Sequence, residues 1–135
     1  MTLATAKFAL QILGLAAIVF FTGGCGSGTD EGIGVRTVSA SEAVTVLASR
    51  VVIDVRSPAE VAEGAITGAT VLDFNAGEFE AKIGEFDRNA AYLVYCRSGN
   101  RSGQAVAIMK DLGFTDVIDA GAFSDLQAAG APTTP

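Results

Sequence analysis

The stretch Ala91-Tyr92-Leu93-Val94-Tyr95-Cys96-Arg97-Ser98-Gly99-Asn100-Arg101-Ser102 decides the fold of this chain. Its apolar first half predicts a buried strand, and the residues from Ser102 onward predict a helix. Cys96 therefore lies at a strand end, beneath a tight loop and before a helix N-terminus. The unpaired N–H groups of that helix start and the flanking Arg97 and Arg101 favour a thiolate. A buried structural cysteine is the ordinary alternative, but it gives no reason to desolvate two guanidinium groups.

Short apolar strands alternate with helical segments on both sides of this stretch. The predicted strands span 35–38, 51–55, 70–73, 91–95 and 116–119, and the predicted helices span 39–49, 57–64, 75–83, 102–112 and 123–129. Capping boxes at Ser39 to Glu42 and Ser57 to Glu60 mark two helix starts. Strands separated by helices predict an α/β fold, in which a central parallel sheet has helices on both faces.

A second strand end carries polar residues next to the predicted crevice. Asp54 and Arg56 close the run that begins at Val51, and ligands gather at the carboxyl ends of parallel strands. Both residues are therefore predicted to support the Cys96 site. The alternative interpretation is an ion pair that fixes the loop. Tyr92 and Tyr95 are interpreted as core residues and not as catalytic acids.

Composition excludes several classes of function. The chain has 135 residues and a net charge of −6, and from Cys25 onward it carries 8 basic and 15 acidic residues. This balance repels phosphate backbones, so nucleic-acid binding is not expected. There is no histidine, which removes every Cys/His dyad. Two cysteines alone cannot build a zinc or iron–sulfur site, so no metal or cofactor is predicted.

The N-terminus is predicted to direct export. Lys7 precedes an apolar run from Phe8 to Phe21, which is too short for a spanning helix and suits a signal peptide. The run ends at Gly24-Cys25, which resembles a lipoprotein cleavage site, so Cys25 is the predicted lipidated residue of a membrane-anchored, exported protein. Ordinary cleavage or an uncleaved anchor, with Cys25 as a free or disulfide-bonded thiol, is the alternative. The predicted organisation is a signal peptide at 1–24, a flexible tether at 25–34, one domain at 35–130 and a frayed tail at 131–135.

Several motifs resemble the rhodanese (thiosulfate sulfurtransferase) family, in the manner of its small exported members of the phage-shock protein E type. The segment 96–102 resembles the family's active-site loop, 52–60 its second-strand motif, 63–69 its glycine-rich motif, and 112–126 its C-terminal end. The usual His and Pro of the glycine-rich motif are replaced by Ala65 and Thr67. The family's frequent Trp in the last helix is absent, and Phe123 is expected to fill its place.

The resemblance implies a sulfurtransferase. Cys96 attacks a sulfane donor such as thiosulfate and becomes a persulfide, which backbone N–H groups of the loop from Arg97 to Ser102 bind as an anion. Arg97 attracts the donor, while Arg101 holds the loop and activates the thiol. Cyanide or a thiol then takes the sulfur, and a protein acceptor stays open. The chemistry requires that small anions reach Cys96.

Two other hypotheses remain open from the sequence. A cysteine phosphatase uses a similar loop, but it places five residues between Cys and Arg, whereas four separate Cys96 from Arg101. The shorter loop suits a sulfur atom better than a phosphate group. A persulfide carrier or a rhodanese-like binding module at the cell envelope is the second alternative.

Overall fold

The computed structural model describes residues 34–135. The predicted signal peptide, Cys25 and the tether as far as residue 33 lie outside the described residues. Within residues 34–135, no helix combines the length and the apolar character that crossing a bilayer requires.

The described residues form an alternating series of strands and helices. The strands are β1 (Val35–Thr37), β2 (Val51–Asp54), β3 (Ala65–Ile66), β4 (Thr70–Val71), β5 (Ala91–Cys96), β6 (Asp116–Ala122) and β7 (Thr133–Thr134). The α-helices are α1 (Ala40–Val46), α2 (Pro58–Val61), α3 (Glu78–Lys82), α4 (Asn100–Asp111) and α5 (Phe123–Ala128). Short 3-10 helices extend α1 through Leu47–Ser49 and α3 through Ile83–Glu85.

Five strands form a parallel sheet in the order β1-β6-β5-β2-β4, which confirms the predicted α/β class. The chain moves outward from β2 to the edge strand β4 and then returns to β5 on the other side of β2. This reversal opens a crevice between the carboxyl ends of β2 and β5, the position at which open parallel sheets bind ligands. Asp54 pairs with Tyr95 in this register, so the two predicted polar strand ends are neighbours.

The central strand β5 divides the core into two layers. Tyr92, Val94 and Cys96 pack into one cluster together with residues of α3 and α4, while Leu93 and Tyr95 pack into the other with residues of α1 and α5. Successive strand residues point to opposite faces, so this alternation follows from the pleat. The helices therefore cover both faces of the sheet. Cys96 points toward α4 and Tyr95 points away from it.

The predicted caps form as expected. Ser39 accepts a hydrogen bond from the Glu42 N–H, and Ser57 and Glu60 make a complete capping box with Pro58 in the first turn of α2. Each cap satisfies backbone N–H groups that the first helical turn leaves without intrahelical acceptors. The capping box fixes the position of the Glu60 side chain, which the site uses.

Two helices begin at residues that differ from the predicted ones. α4 begins at Asn100 and not at Ser102, because Gly99 adopts φ 92° and turns the chain directly into the helix. α3 begins at Glu78 and not at residue 75, because the Asp73 side chain accepts the N–H groups of Asn75 and Ala76 and holds a turn there. One strand also differs from its predicted bounds, since β6 extends to Ala122, three residues beyond the predicted strand end.

The C-terminal tail does not fray as predicted. β7 pairs antiparallel with β3, with Ala65 opposite Thr134, and the Thr67 N–H donates to the Pro132 carbonyl at 2.8 Å. Ala131 is buried. The tail is ordered because its backbone supplies the partners of the 65–67 segment. Ala65 and Thr67, which replace the His and Pro of the resembled motif, are thus held by backbone pairing.

Candidate active site

The sulfur of Cys96 lies inside the turn that joins β5 to α4. The Gly99 N–H donates to Cys96 Sγ at 2.9 Å, and the Ser102 hydroxyl oxygen lies 3.7 Å from the sulfur. Gly99 can present its N–H in this way because glycine adopts a positive φ without steric cost. The predicted tight loop over a strand end is therefore present, with the thiol in its centre.

The first turn of α4, which follows the Gly99 donor, begins with N–H groups that have no acceptor. The N–H groups of Asn100, Arg101 and Ser102 make no hydrogen bond to any residue between 34 and 135. A helix start that leaves N–H groups free carries a partial positive charge and binds anions. The loop thus has the N–H donors that the sequence predicts for binding an anionic sulfur.

The structure places the thiol beneath the loop, as the sequence predicts, and buries it completely. Cys96 is 0% exposed, while the Arg97 and Ser98 that cover it are exposed. The loop closes because Gly99 points its N–H at the sulfur. Because Cys96 is fully buried, a donor can reach Sγ only when the residues around it move.

Arg101 holds the loop and does not contact the sulfur by any hydrogen bond. Its guanidinium binds the Glu60 carboxylate at two points, with Nη1–Oε2 and Nη2–Oε1 distances of 2.8 and 2.7 Å. This pair lowers the pKa of Glu60 to about 2, with further hydrogen bonds from Ser57, and raises that of Arg101. The predicted role of Arg101 in holding the loop and activating the thiol stays a prediction, and its partner Glu60 was not singled out for the site.

Arg97, Ser98 and Asn100 occupy the outer surface of the loop. Arg97 makes no ion pair or hydrogen bond within residues 34–135. Asn100 is exposed and its side chain accepts from Gln104, one turn along α4. Arg97 is therefore the cation of the loop that is available to an incoming anion.

Asp54 and Arg56 form a buried ion pair, as the alternative interpretation of these residues proposed. The Arg56 guanidinium contacts both Asp54 oxygens, at 2.6 to 3.1 Å, and also donates to the Gly64 carbonyl at 2.7 Å. The Tyr95 hydroxyl donates to Asp54 at 2.7 Å, and burial with this carboxylate raises the pKa of Tyr95 well above its usual range. These buried groups link the carboxyl ends of β2 and β5 beside the crevice. Beside the Asp54 carboxylate, the Tyr95 hydroxyl stays protonated.

Besides Glu60, a second residue of the site was missed in the sequence. Asp119 lies in β6, is 8% exposed, and accepts from the Ser102 hydroxyl at 2.7 Å and from the Gly121 N–H at 3.0 Å. It thereby fixes Ser102 beside the sulfur. Its position at a strand end was visible in the sequence, but the sheet order that places β6 beside β5 was not.

A cavity of about 460 Å³ opens on the outer side of the loop. Its walls come from α2 and the residues on either side of it, from the residue after Cys96 and from α5. They consist of Arg56, Glu60, Glu63, Arg97, Phe123, Ser124 and Gln127. Phe123, which was expected to fill the place of a Trp, stacks on Tyr95 and lies 4.2 Å below the Arg56 guanidinium carbon.

Comparison with known proteins identifies the family of this fold and loop. The family model described as "Rhodanese-like domain" matches residues 39–128, which include both strand ends and the Cys96 loop. The chain belongs to the rhodanese-like domain family. The resemblance seen in the sequence is thereby confirmed.

Individual relatives agree with this assignment. The domain is 32% identical over 74 residues to the thiosulfate sulfurtransferase PspE of Escherichia coli, which covers 55% of this chain and 71% of the relative. It is 39% identical over 90 residues to the thiosulfate sulfurtransferase GlpE of Pseudomonas entomophila, which covers 64% of this chain and 80% of the relative. Relatives of this kind support sulfurtransferase activity, and the protein is a sulfurtransferase-like enzyme.

Solved structures show the same fold. A rhodanese-related protein of Thermoplasma volcanium aligns with a TM-score of 0.65 at 27% identity, and the alignment covers 73% of this chain and 97% of that protein. A structure described as a rhodanese with anions from E. coli aligns with a TM-score of 0.56 at 31% identity, covering 63% of this chain and 96% of that one.

Proposed function

We propose that this rhodanese-like domain moves a sulfane sulfur from thiosulfate, or a similar donor, to cyanide or a thiol through a persulfide on Cys96. The hydrogen bond from the Gly99 N–H to Cys96 Sγ, at 2.9 Å, carries this proposal. It lies at the start of α4, where the next three N–H groups have no acceptor within residues 34–135. Such a set of donors suits an anionic sulfur, either a thiolate or a persulfide.

In the first half-reaction the Cys96 thiolate attacks the outer sulfur of thiosulfate. A bond forms between Sγ and this sulfur, the S–S bond of thiosulfate breaks, and its electron pair leaves with sulfite. Arg97 has a free guanidinium at the loop surface and is the group that attracts the dianion.

In the second half-reaction the acceptor attacks the outer sulfur, and the electron pair of the Sγ–S bond returns to Cys96. This covalent cycle predicts ping-pong kinetics.

Two residues that cover Cys96, Arg97 and Ser98, have side chains that can move aside for a donor. Arg97 and Ser98 are exposed, and neither side chain is tied to another residue between 34 and 135. The start of α4 is held separately by the Arg101–Glu60 pair. Gly99 is hydrogen-bonded to Sγ, to the Ser102 hydroxyl and to the Gly103 N–H, so the side chains of Arg97 and Ser98, and not Gly99, are the groups that move aside for a donor.

The two hydrogen bonds between Arg101 and Glu60 argue against a phosphatase. Both terminal nitrogens of Arg101 are bound to Glu60, so this guanidinium is not available to clamp a phosphate group at two points. The loop also has one residue fewer between Cys96 and Arg101 than the phosphatase pattern.

Turnover of thiosulfate with cyanide tests the proposal. The protein is expected to release thiocyanate, with parallel reciprocal plots for the two substrates, and Cys96→Ser is expected to abolish release. Cys25→Ser is the matched control and is expected to retain the reaction. Release of phosphate from an aryl phosphate without thiocyanate formation would instead identify a phosphatase. Sulfur uptake at Cys96 without any small-molecule turnover would point to the carrier alternative.

We also propose that the protein is exported and anchored to the membrane by a lipid on Cys25. The support is the apolar run from Phe8 to Phe21 followed by Gly24-Cys25. Cys25→Ser is expected to move the protein from the membrane fraction to the soluble exported fraction. Unchanged membrane partitioning of this variant would contradict the lipid anchor.

A further inference from the structure

The carboxylate of Asp119 is a buried charge that the proposed cycle does not use. The residue is 8% exposed, and the salt bridges found within residues 34–135 do not include it. Its neighbours on β1, Thr37 and Val38, are uncharged. A carboxylate near a sulfur that must become anionic disfavours the thiolate, because like charges repel in a site shielded from water. Asp119 must therefore have a role other than the attraction of an anion.

One hydroxyl connects this carboxylate to the sulfur. Ser102 is fully buried, its hydroxyl donates to Asp119 Oδ1 at 2.7 Å, and its oxygen lies 3.7 Å from Cys96 Sγ, where it can accept from the S–H group. The Gly99 carbonyl lies 3.0 Å from the same hydroxyl, but the carboxylate is closer and charged, so it is the stronger acceptor. A continuous chain of hydrogen bonds thus runs from the thiol through Ser102 to Asp119.

The charged groups nearest this chain keep their charge around neutral pH. Arg97 and Arg101 carry guanidinium groups, which stay protonated. The hydrogen bonds to Glu60, and more weakly the charges of Cys96 and Asp73, raise the pKa of Arg101 further. Glu60 stays ionised, because its bonds to Arg101 lower its pKa to about 2. The movement of one proton along the hydrogen-bonded chain therefore leaves the surrounding charges unchanged.

We propose that Asp119 holds the proton of Cys96 during sulfur transfer, and that Ser102 passes this proton between the two side chains. The inference rests on the proposed function. Asp119 is a positioning residue in this scheme, because it acts through Ser102 and does not touch the sulfur. When the thiol ionises, its S–H bond breaks and a new O–H bond forms on Ser102. The original O–H bond of Ser102 breaks, and its proton forms the O–H bond of a neutral Asp119 carboxylic acid.

The pair of Cys96 and Asp119 keeps one negative charge throughout the cycle. It consists of a thiol and a carboxylate at rest, and of a thiolate or persulfide and a neutral carboxylic acid during transfer. The reversed chain also turns the Ser102 hydroxyl into a donor toward the anionic sulfur, beside the Gly99 N–H. When an acceptor has taken the outer sulfur, the proton returns from Asp119 through Ser102 to the Cys96 thiolate.

The pH dependence of sulfur uptake tests this role. The parent protein forms its thiolate without releasing a proton to solvent, so its rate of uptake from thiosulfate is expected to be nearly constant from about pH 6 to 8. Asp119→Asn keeps an Oδ1 acceptor for the Ser102 hydroxyl and the Gly121 N–H but cannot hold the proton. Its rate is expected to rise about tenfold per pH unit until an ordinary thiol ionises near about pH 8.5. Intact mass of samples quenched at successive times measures the rates.

Two further variants make the outcome specific. Asp111→Asn is the matched control, because it removes an exposed carboxylate at the far end of α4, and it is expected to keep the pH profile of the parent protein. Ser102→Ala removes the hydroxyl that passes the proton and is expected to show the pH profile of Asp119→Asn.

Infrared difference spectra follow the proton itself. The spectrum of the persulfide form of the parent protein minus that of its resting form is expected to show the carbonyl stretch of a protonated carboxylic acid. Asp119→Asn is expected to lack this band. The spectrum of the parent protein needs no variant, so it decides the matter even if Asp119→Asn does not fold.

Three results would overturn the role of Asp119. They are parallel pH profiles for the parent protein and Asp119→Asn, a faster uptake by Asp119→Asn at low pH, and a parent spectrum without the carboxylic acid band. Sulfur uptake without the band overturns this inference alone. If the parent protein never takes up sulfur from thiosulfate, the proposed function fails and this inference fails with it.

Discussion

Arg101 and Glu60 form a two-point ion pair that joins the start of α4 to the capping box of α2. Their side chains are only 16% and 19% exposed, so the pair is partly shielded from solvent. The same Glu60 carboxylate caps Ser57 through a hydrogen bond to its N–H. One carboxylate therefore fixes both the helix that follows β2 and the helix that follows Cys96.

Removal of this carboxylate charge should loosen the loop. Glu60→Gln is expected to lower the free energy of unfolding by about 1 to 3 kcal/mol, because a charged, partly buried hydrogen-bonded pair is lost. Urea denaturation at neutral pH measures this change. Glu80→Gln is the control, since Glu80 is exposed and its side chain has no partner within the described residues. Equal stability of the two variants would contradict the role of the pair.

The same pair predicts a pH dependence. The pKa of Glu60 falls from 4.5 to about 2 in the folded protein, so folding favours its charged form. The stabilisation is complete above pH 4.5 and is lost as the pH falls toward 2. The difference in unfolding free energy between the parent protein and Glu60→Gln should shrink over this window. A difference that stays constant with pH would contradict the assignment.

Gly99 is expected to be required for chemistry more than for stability. Gly99→Ala places a Cβ at φ 92°, which costs about 1 to 2 kcal/mol and turns the N–H away from the sulfur. Loss of one hydrogen bond to an anion should slow sulfur uptake roughly ten- to a hundredfold. Gly77→Ala is the matched control, since Gly77 has φ 76° at the start of α3 with open space around its Cβ. Equal rates of uptake in the two variants would show that the Gly99 N–H is not used.

The buried hydroxyl of Tyr95 is expected to stabilise the folded protein. Its hydroxyl donates to Asp54 at 2.7 Å and accepts from the Ile66 N–H at 3.0 Å. Tyr95→Phe removes the hydroxyl acceptor of the buried Ile66 N–H and one of the hydrogen bonds to Asp54, which Arg56 still binds, and should cost about 1 to 3 kcal/mol. Tyr92→Phe should cost less, because its partner, the Asp87 carbonyl, belongs to an exposed residue. Thermal or urea denaturation compares the two, and equal losses would contradict this account.

The local patterns of the sequence predicted most of the fold. The apolar run before Cys96, the two serine caps and the alternation of strand and helix depend on neighbouring residues, and all are present. The strand pair formed by β3 and β7 was missed because each strand has only two residues. Its stability comes from backbone partners that are 67 and 69 positions apart in the sequence, and a local sequence pattern does not predict such pairs.

The site was predicted in part for the same reason. The Cys96 loop is continuous in the sequence, so its hydrogen-bond donors could be anticipated. Glu60 and Asp119 reach the loop only through the sheet order, at separations of 41 and 17 residues from Arg101 and Ser102. The closed cover over Cys96 also depends on three-dimensional packing, and the sequence alone predicted a more open thiol.

Intact mass of the protein after treatment with thiosulfate tests the central claim most directly. The parent protein should gain one sulfur atom, peptide mapping should place it on Cys96, and cyanide should remove it as thiocyanate. Cys96→Ser should gain nothing. If the parent protein gains no sulfur while a small alkylating reagent still modifies Cys96, the thiol is reachable but does not accept sulfur, and the persulfide mechanism is contradicted.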